Sequence, residues 1–340
     1  MRLLAPLAAL YGGAVSARLY AYREGFLRVH RAARPVLSVG NLAVGGTGKT
    51  PFVRWLAREL LERGTRPSVL TRGYGRASHG SVVVSDGAGA LASVRASGDE
   101  AAALARALPR VPIVADSDRV AAARRVEGLV PDVAVHLLDD GFSHVALARG
   151  LDVVLLDATA PDAGGALLPE GRLREPLASL ARADVVVVTK CEQADPAPAR
   201  ALANRFAPGA PVYHAETRVL GIQDDSGEPV RAEDLPGQTL VAVAGLACPD
   251  AFFATLAALG IAPAGAVTFR DHHPYGPYAI GRIEKAAEES GATAVVTTEK
   301  DAVKLEGRIR LPLFRVAVEM AVTENDFVED ALRRLARPPS

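Results

Sequence analysis

Residues 44–51 read "VGGTGKTP" and directly follow the short apolar run "PVLSVG" at 35–40. Glycines, a lysine and a hydroxyl residue between a buried strand and a helix are typical of a loop that holds nucleotide phosphates on its backbone N–H groups. The full pattern has a glycine five positions before Gly48, where this chain has Ala43. We expect alanine to be tolerated there if its φ stays negative, because Gly45 and Gly46 can supply the close backbone approach.

The residues of this loop predict a site for a nucleoside triphosphate. Lys49 is expected to reach the β- and γ-phosphates, and the Thr50 hydroxyl is expected to bind Mg²⁺. The predicted nucleotide-binding residues are Gly45, Gly46, Thr47, Gly48, Lys49 and Thr50.

Around the loop, apolar runs without polar alternation are separated by helical segments. This arrangement indicates a parallel sheet covered on both faces, an α/β fold of the P-loop NTPase type. The predicted strands are 35–39, 67–71, 81–85, 111–115, 133–138, 151–156 and 184–189, and the predicted helices are 50–63, 99–108, 117–128 and 172–182.

A second alternating series follows a predicted connection at 205–236, which is rich in Pro, Gly and acidic residues. It predicts strands at 239–245, 266–269, 293–298 and 313–318, helices at 249–259 and 277–290, another helix after 298, and a terminal helix from about 324. We therefore expect an N-terminal helical segment (1–34), a phosphate-loop core (35–215) and a smaller α/β domain (216–340), with a hinge near 220.

The N-terminal segment is apolar and then basic. Residues 3–17 carry no charge, and five arginines follow between 18 and 34 with only Glu24 against them. Fifteen uncharged residues fall short of the ~20 that span a bilayer. A signal peptide and a core-packing helix are alternatives. Apolar residues recur at helical spacing and favour an amphipathic helix in the membrane interface, with the arginines on anionic headgroups. They are Leu3, Leu4, Leu7, Leu10, Tyr11 and Val15.

Composition excludes some classes of partner. The chain has 340 residues, 39 basic and 39 acidic, so its formal net charge is zero and no bulk field attracts nucleic acid. Aromatic residues make up only 5%, which argues against a base-stacking surface. Cys191 and Cys248 lie far apart and have no metal-ligand spacing, so we expect reduced thiols.

The apolar run "VAVHLLDDG" at 133–141 ends in two carboxylates, Asp139 and Asp140. The carboxyl ends of parallel strands face the ligand crevice, so these aspartates are the predicted metal partners of Thr50. The alternative is a solvated pair of acids on a loop.

Two function classes remain at this point. A GTPase switch needs a guanine-reading Asn/Thr-Lys-x-Asp motif, and "TKCE" at 189–192 has Glu192 in the aspartate position. A kinase needs a base for its acceptor and residues that hold the substrate. A soluble small-molecule kinase is a third reading, which leaves the N-terminal helix without a membrane role.

Seven blocks in order resemble tetraacyldisaccharide 4'-kinase, the lipid A 4'-kinase family of Gram-negative bacteria, from the N-terminal helix to about residue 320. They are "SVGNLAVGGTGKTP" (38–51), "LTRGYGR" (70–76), "SGDEA" (97–101), "LLDDGFSH" (137–144), "LLPEGRLREP" (167–176), "FRDHHPY" (269–275) and "TTEKDAVKL" (297–305). The resemblance implies transfer of a phosphoryl group from ATP to the 4'-hydroxyl of an acylated glucosamine disaccharide 1-phosphate. A protein-directed GTPase or ATPase switch is the alternative.

The resemblance also assigns catalytic roles. Asp99 matches the family's proposed base, and His272 matches the histidine paired with it. Arg119 resembles an arginine near the phosphates, where it would neutralise transition-state charge together with Lys49. The sequence alone favours a helix N-cap for Asp99 and a loop position for His272. With base and partner in different domains, activity is expected to require closure of the two domains.

Further residues are expected near the acceptor by the same resemblance: Arg72, Tyr74, His144, Arg174 and Glu175. The alternatives are a glycine-rich turn for the first two and a surface ion pair for the last two. Ser143 stands where the family usually has Gln, and "TTEKD" at 297–301 is expected to shape the adenine pocket. We expect a monomer at the cytoplasmic face of the bacterial inner membrane that uses ATP and Mg²⁺, with no nucleic-acid partner.

Overall fold

The computed structural model describes residues 4–231, 235, 239–246, 249–271 and 273–336. The helices and strands alternate along most of the chain. The helices are α1 (Ala5–Arg23), α2 (Lys49–Glu62), α3 (Val94–Ser97), α4 (Asp99–Ala107), α5 (Arg119–Leu129), α6 (Ala197–Phe206), α7 (Pro249–Ala258), α8 (Pro277–Ser290), α9 (Glu299–Leu305) and α10 (Phe327–Leu335).

Within these described residues, thirteen strands form one sheet. They are β1 (Val36–Gly40), β2 (Pro67–Thr71), β3 (Val82–Asp86), β4 (Pro112–Ala115), β5 (Val135–Asp139), β6 (Leu151–Asp157), β7 (Val185–Thr189), β8 (Val212–Gln223), β9 (Pro229–Val230), β10 (Leu240–Ala244), β11 (Gly265–Thr268), β12 (Ala294–Thr298) and β13 (Leu313–Val322). Their order is β11-β10-β12-β13-β8-β7-β6-β1-β5-β2-β4-β3, with β9 beside β8.

The strand that precedes the phosphate loop, β1, lies in the middle of a parallel region, between β5 and β6. All five of its residues are buried, as the continuous apolar run predicts. Leu37 and Val39 pack on the face covered by α2, with Phe52, whereas Val36 packs on the opposite face, with Val120 of α5. Helices on both faces of the strand confirm the predicted α/β sheet.

The long strand β8 joins the two halves of the sheet. Its first residues pair in parallel with β7, Val212 opposite Val186. Its later residues pair antiparallel with β13, from Ala215 opposite Val322 to Gln223 opposite Arg315. Beyond it, β10, β11, β12 and β13 are parallel to one another, which confirms the second alternating series.

Two predicted segments differ from the structure. The predicted connection at 205–236 contains the end of α6 and the strands β8 and β9. Strand β8 lacks the uniformly apolar run of the other strands, because buried and half-buried residues alternate at its start and three exposed residues follow at 218–220. The predicted helix at 172–182 is a 3₁₀ helix over Leu177–Arg182 only. Its expected first turn is extended and pairs with the phosphate loop, Leu173 opposite Ala43.

The N-terminal helix is present as α1, but the predicted amphipathic character is not confirmed. Ala8 and Gly12 are buried against the protein, while Leu7 and Leu10 on the other side are exposed, so both sides are largely apolar. No helix in the described part of the chain has the length and apolar character needed to cross a membrane.

Candidate active site

The phosphate loop is shaped by two glycines with left-handed backbone. Gly45 has a φ of 122° and Gly48 a φ of 84°. A Cβ on Gly48 would lie 2.3 Å from Met320 Cε, and one on Gly45 would lie 2.3 Å from Arg172 Nη2. Ala43 is not among the residues with positive φ, so the alanine fits without backbone strain. Helix α2 begins at Lys49, so the loop opens onto a helix N-terminus.

Three side-chain hydrogen bonds support the phosphate loop. Asn41 Nδ2 donates to Thr47 Oγ1 (2.9 Å), and Lys49 Nζ donates to Asn41 Oδ1 (3.1 Å). Thr189, at the end of β7, donates to the carbonyl oxygen of Thr47 (3.0 Å). Asn41 and Thr189 were not selected from the sequence, and the only signal for either is its position directly after or at the end of a buried strand.

The carboxylates of Asp139 and Asp140 lie beside the loop. Asp139 ends β5 and its Oδ2 accepts from Thr71 Oγ1 (3.0 Å), whereas its buried Oδ1 has no hydrogen-bond partner. Burial raises the pKa of Asp139 to about 7, with Glu100 and Asp140 adding to the rise. The expected pair therefore comes together next to Lys49 and is not a solvated loop pair.

Asp140 differs from its neighbour because cations surround it. Lys49 Nζ is 3.5 Å from its Oδ1, and Arg174 Nη1 donates to its Oδ2 (2.7 Å). Burial alone raises the pKa of Asp140, but the charges of Lys49 and Arg174 outweigh burial and hold the pKa below its usual range. Its φ of 54° turns the chain sharply after β5.

Arg119 is a buried cation at the start of α5. Its Nη1 donates to the carbonyl of Asp116 (2.5 Å) and its Nη2 to that of Asp139 (3.4 Å), while its Nε has no partner. Burial lowers the pKa of Arg119 to about 10. The guanidinium thus lies behind the end of β5, close to the two carboxylates.

Asp99 is the first residue of α4, and the N-cap is Gly98. Its side chain is buried, with Oδ2 3.4 Å from Lys304 Nζ of α9. The N-cap alternative for Asp99 is therefore wrong. His272 lies outside the described residues; its neighbour His273 stacks on Phe269 with ring centroids 4.6 Å apart.

The residues expected near the acceptor separate into exposed and buried groups. Arg72 and Tyr74 are exposed in the loop after β2. His144 is partly buried with Nε2 unpartnered, and burial followed by the charge of Arg119 lowers its pKa to about 4.

Arg174 and Glu175 do not pair with each other. Glu175 is 1% exposed and accepts from Arg182 Nη2 (2.5 Å), whereas Arg174 pairs with Asp140. The surface ion-pair alternative is therefore wrong. The second oxygen of Glu175, Oε1, is buried and has no hydrogen-bond partner among the described residues.

Comparison with known proteins identifies the family of this chain. A family model described as tetraacyldisaccharide-1-P 4'-kinase (LpxK) matches residues 1–337. The chain belongs to this family. The tetraacyldisaccharide 4'-kinase of Geobacter metallireducens is 43% identical to it over 98% of each protein. That of Anaeromyxobacter dehalogenans strain 2CP-C is 44% identical over 92% of this chain and 84% of its own length.

A solved structure extends the likeness to three dimensions. LpxK from Aquifex aeolicus, described as an "apo" form in complex with ATP, superposes with a TM-score of 0.83 at 32% identity, covering 98% of both chains. As a tetraacyldisaccharide-1-P 4'-kinase, the protein is a phosphotransferase of lipid A biosynthesis, and the GTPase switch is not favoured.

One further residue, Lys304, contacts Asp99 and is not among the site residues expected from the sequence.

Proposed function

We propose that this protein transfers the γ-phosphoryl group of ATP to the 4'-hydroxyl of a tetraacylated glucosamine disaccharide 1-phosphate. The observation that carries the proposal is the phosphate loop with Lys49 beside Asp139 and Asp140, in a chain similar over 98% of its length to a kinase crystallised with ATP. Transfer of this kind depends chiefly on positioning and on stabilisation of charge, and the loop supplies the groups for both.

The nucleotide phosphates are proposed to lie on the backbone of residues 45–50. Gly46 has open space around it, so a phosphate can approach its backbone closely. Lys49 is held by Asn41 and Asp140 in the structure, and a phosphate oxygen is the natural additional partner of its three-donor ammonium group.

The residues present fit a Mg²⁺ ion. Asp139 Oδ1 is buried without a partner, and a hard divalent cation prefers such carboxylate oxygens. Asp139, Asp140 and the Thr50 hydroxyl would hold it, together with phosphate oxygens and water. When bound, Mg²⁺ neutralises charge on the phosphates.

Asp99 is proposed as the base for the acceptor hydroxyl. A sugar hydroxyl is too weak an acid to ionise at neutral pH, so a positioned carboxylate takes its proton as transfer proceeds. The neighbouring Glu100 contributes to the raised pKa of Asp139, which supports a position of the α4 N-terminus near the phosphate site. His272 is proposed to orient Asp99 or to share the proton.

The remaining predicted residues supply charge and contacts for the acceptor. Arg119 is proposed to stabilise the negative charge that develops in the transition state. Arg72 and Tyr74 project from an exposed loop that is accessible to a large substrate. His144, Arg174 and Glu175 are proposed to line the acceptor side, with Arg174 linking it to Asp140.

The acceptor is a lipid, so we propose that the enzyme works at the cytoplasmic face of the inner membrane. Leu7 and Leu10 of α1 are 53% and 72% exposed, and Phe26 just after the helix is 76% exposed. Arginines follow this apolar surface in the sequence and suit anionic headgroups. We propose that a monomer suffices, because one chain supplies every predicted site residue.

The deciding experiment supplies radiolabelled ATP and an acylated glucosamine disaccharide 1-phosphate to the wild type and to Asp99→Ala. The wild type should yield a labelled 4'-phosphate, and Asp99→Ala should be slower by about 100-fold or more. Wild-type protein that labels no disaccharide but hydrolyses GTP in preference to ATP would refute the kinase and support a switch.

A further inference from the structure

Lys304 of α9 lies between two carboxylates, and these belong to helices on different halves of the protein. Its Nζ is 3.4 Å from Asp99 Oδ2 and 3.1 Å from Asp301 Oδ1, and all three residues are buried. Asp99 begins α4, which packs on the phosphate-loop half, whereas Asp301 and Lys304 belong to α9, after β12. One ammonium group therefore joins Asp99, the proposed base, to the other half of the protein.

The far side of this ammonium is rigidly held. Asp301 Oδ2 accepts from the backbone N–H of Gly245 (2.8 Å) and from Thr298 Oγ1 (3.0 Å). Lys304 Nζ also lies 5.2 Å from the ring centroid of the fully buried Tyr275. A Cβ at Gly245 would lie 2.7 Å from the Tyr275 hydroxyl oxygen and 2.8 Å from Asp301 Oδ1, so a glycine there leaves room for the cluster.

An ammonium in this position restricts the rotamers of Asp99 through a directional charge-assisted hydrogen bond, so the carboxylate is held in one orientation. Among the described residues, charged groups near this cluster include Glu100, next in sequence to Asp99, and Lys300, which lies 4.0 Å from Glu100 and 2.8 Å from Asp271. Lys304 itself contacts both Asp99 and Asp301.

We infer that Lys304 is a positioning residue for phosphoryl transfer: it aims Asp99 at the acceptor hydroxyl and couples the base to α9. This inference rests on the proposed role of Asp99. The ion pair of Arg106 with Glu306 differs from Lys304, because it joins α4 to the residue that follows α9 and does not include Asp99.

The test measures kcat, the KM for ATP and the thermal unfolding midpoint of variants with the disaccharide as acceptor. Lys304→Met should lower kcat by about 100-fold while the KM for ATP stays within about threefold. Lys304→Arg, which keeps a cation, should recover at least about tenfold of that loss. Arg106→Met is the matched control and should leave kcat within about threefold. Should Lys304→Met not fold, Lys304→Gln takes its place.

A double variant tests whether Lys304 acts through Asp99. In an Asp99→Asn background, Lys304→Met should lower kcat by no more than about threefold further. Losses that multiply, an Arg106→Met defect as large as that of Lys304→Met, or a Lys304→Met kcat close to that of the wild type would each overturn the inference. If Asp99→Asn keeps the kcat of the wild type, the proposed base itself is refuted. That outcome is distinct from the failure of the inference about Lys304.

Discussion

Asp139 and Asp140 are adjacent in the chain, yet their surroundings move their pKa values in opposite directions. Asp139 lies in a buried pocket with a pKa of about 7, whereas Lys49 and Arg174 keep the pKa of Asp140 low. One carboxylate therefore carries a permanent charge next to the lysine, and the other has an unpartnered oxygen that a cation can use. The sequence predicted the pair from the strand that precedes it, but only the packing distinguishes the two.

Replacement of Gly48 in the phosphate loop is expected to lower the stability of the protein. Gly48→Ala places a Cβ at a φ of 84° and against Met320, and should lower the free energy of unfolding of the nucleotide-free protein by about 1–3 kcal/mol. Gly46→Ala is the matched control, because its Cβ meets nothing, and should change stability by less than about 0.5 kcal/mol. Urea unfolding measures both, and equal losses would contradict the steric argument.

His144 gives stability a dependence on pH. Burial lowers the pKa of His144 to about 4 in the folded protein, against an ordinary value of 6.5. Between these two values the imidazole is protonated in the unfolded chain and neutral in the folded protein. Stability present above about pH 6.5 is therefore lost as the pH falls toward 4. Between pH 7 and pH 5 the wild type should lose about 1–2 kcal/mol more than His144→Gln.

Urea unfolding at the two pH values measures the effect of His144. His79→Gln, at an exposed position, is the control and should follow the wild type. A His144→Gln variant that loses as much stability as the wild type on acidification would show that the buried imidazole does not stay neutral.

Among the helices and strands, those with uniform periodicity were predicted well, and those shaped by neighbours were not. Apolar runs such as β1 and β7 are buried on both faces, so their sequence carries the signal. The sequence of residues 172–175 predicts a helix. In the structure Val44 N donates to the Arg172 carbonyl (2.8 Å) and Arg174 N donates to that of Leu42 (2.7 Å), and these bonds hold the segment extended. Such tertiary pairing has no local signature.

Helix α1 is predicted to be amphipathic, but in the structure both of its sides are largely apolar. A helix apolar on both sides can pack on the protein and still present leucines outward. Replacing Leu7 and Leu10 together by aspartate should weaken binding to anionic phospholipid vesicles by at least about tenfold, because each leucine loses the free energy of apolar burial. Vesicle sedimentation measures this.

The control for α1 is Tyr278→Asp, another exposed large apolar residue, which lies on α8 at the far end of the sheet. It should bind vesicles like the wild type. The thermal midpoint of the double leucine variant should be close to that of the wild type, since both side chains are exposed. Unchanged vesicle binding by that variant would contradict a membrane role for α1.

The strand β8 and several ion pairs join the two halves of the protein. Ion pairs connect α2 and α4 with residues 299–319: Arg54 with Glu299, Arg58 with Glu319, Arg106 with Glu306, Lys300 with Glu100 and Lys304 with Asp99. The pairs of Arg58 with Glu319, Arg106 with Glu306 and Lys300 with Glu100 are partly exposed and contribute little each, whereas Lys304 with Asp99 is buried. The proposed hinge near 220 falls within β8, beside a register shift between Ala317 and Val318 of its partner strand.

Domain closure makes a prediction that distinguishes binding from turnover. If His272 comes to Asp99 only in a closed state that forms over bound ATP, His272→Ala should lower kcat by about 100-fold while the dissociation constant for ATP changes by less than about threefold. Stopped-flow turnover and calorimetric titration with ATP measure the two quantities separately. Equal losses in both would place His272 in nucleotide binding, and closure would then have no part in bringing the proposed base and its partner together.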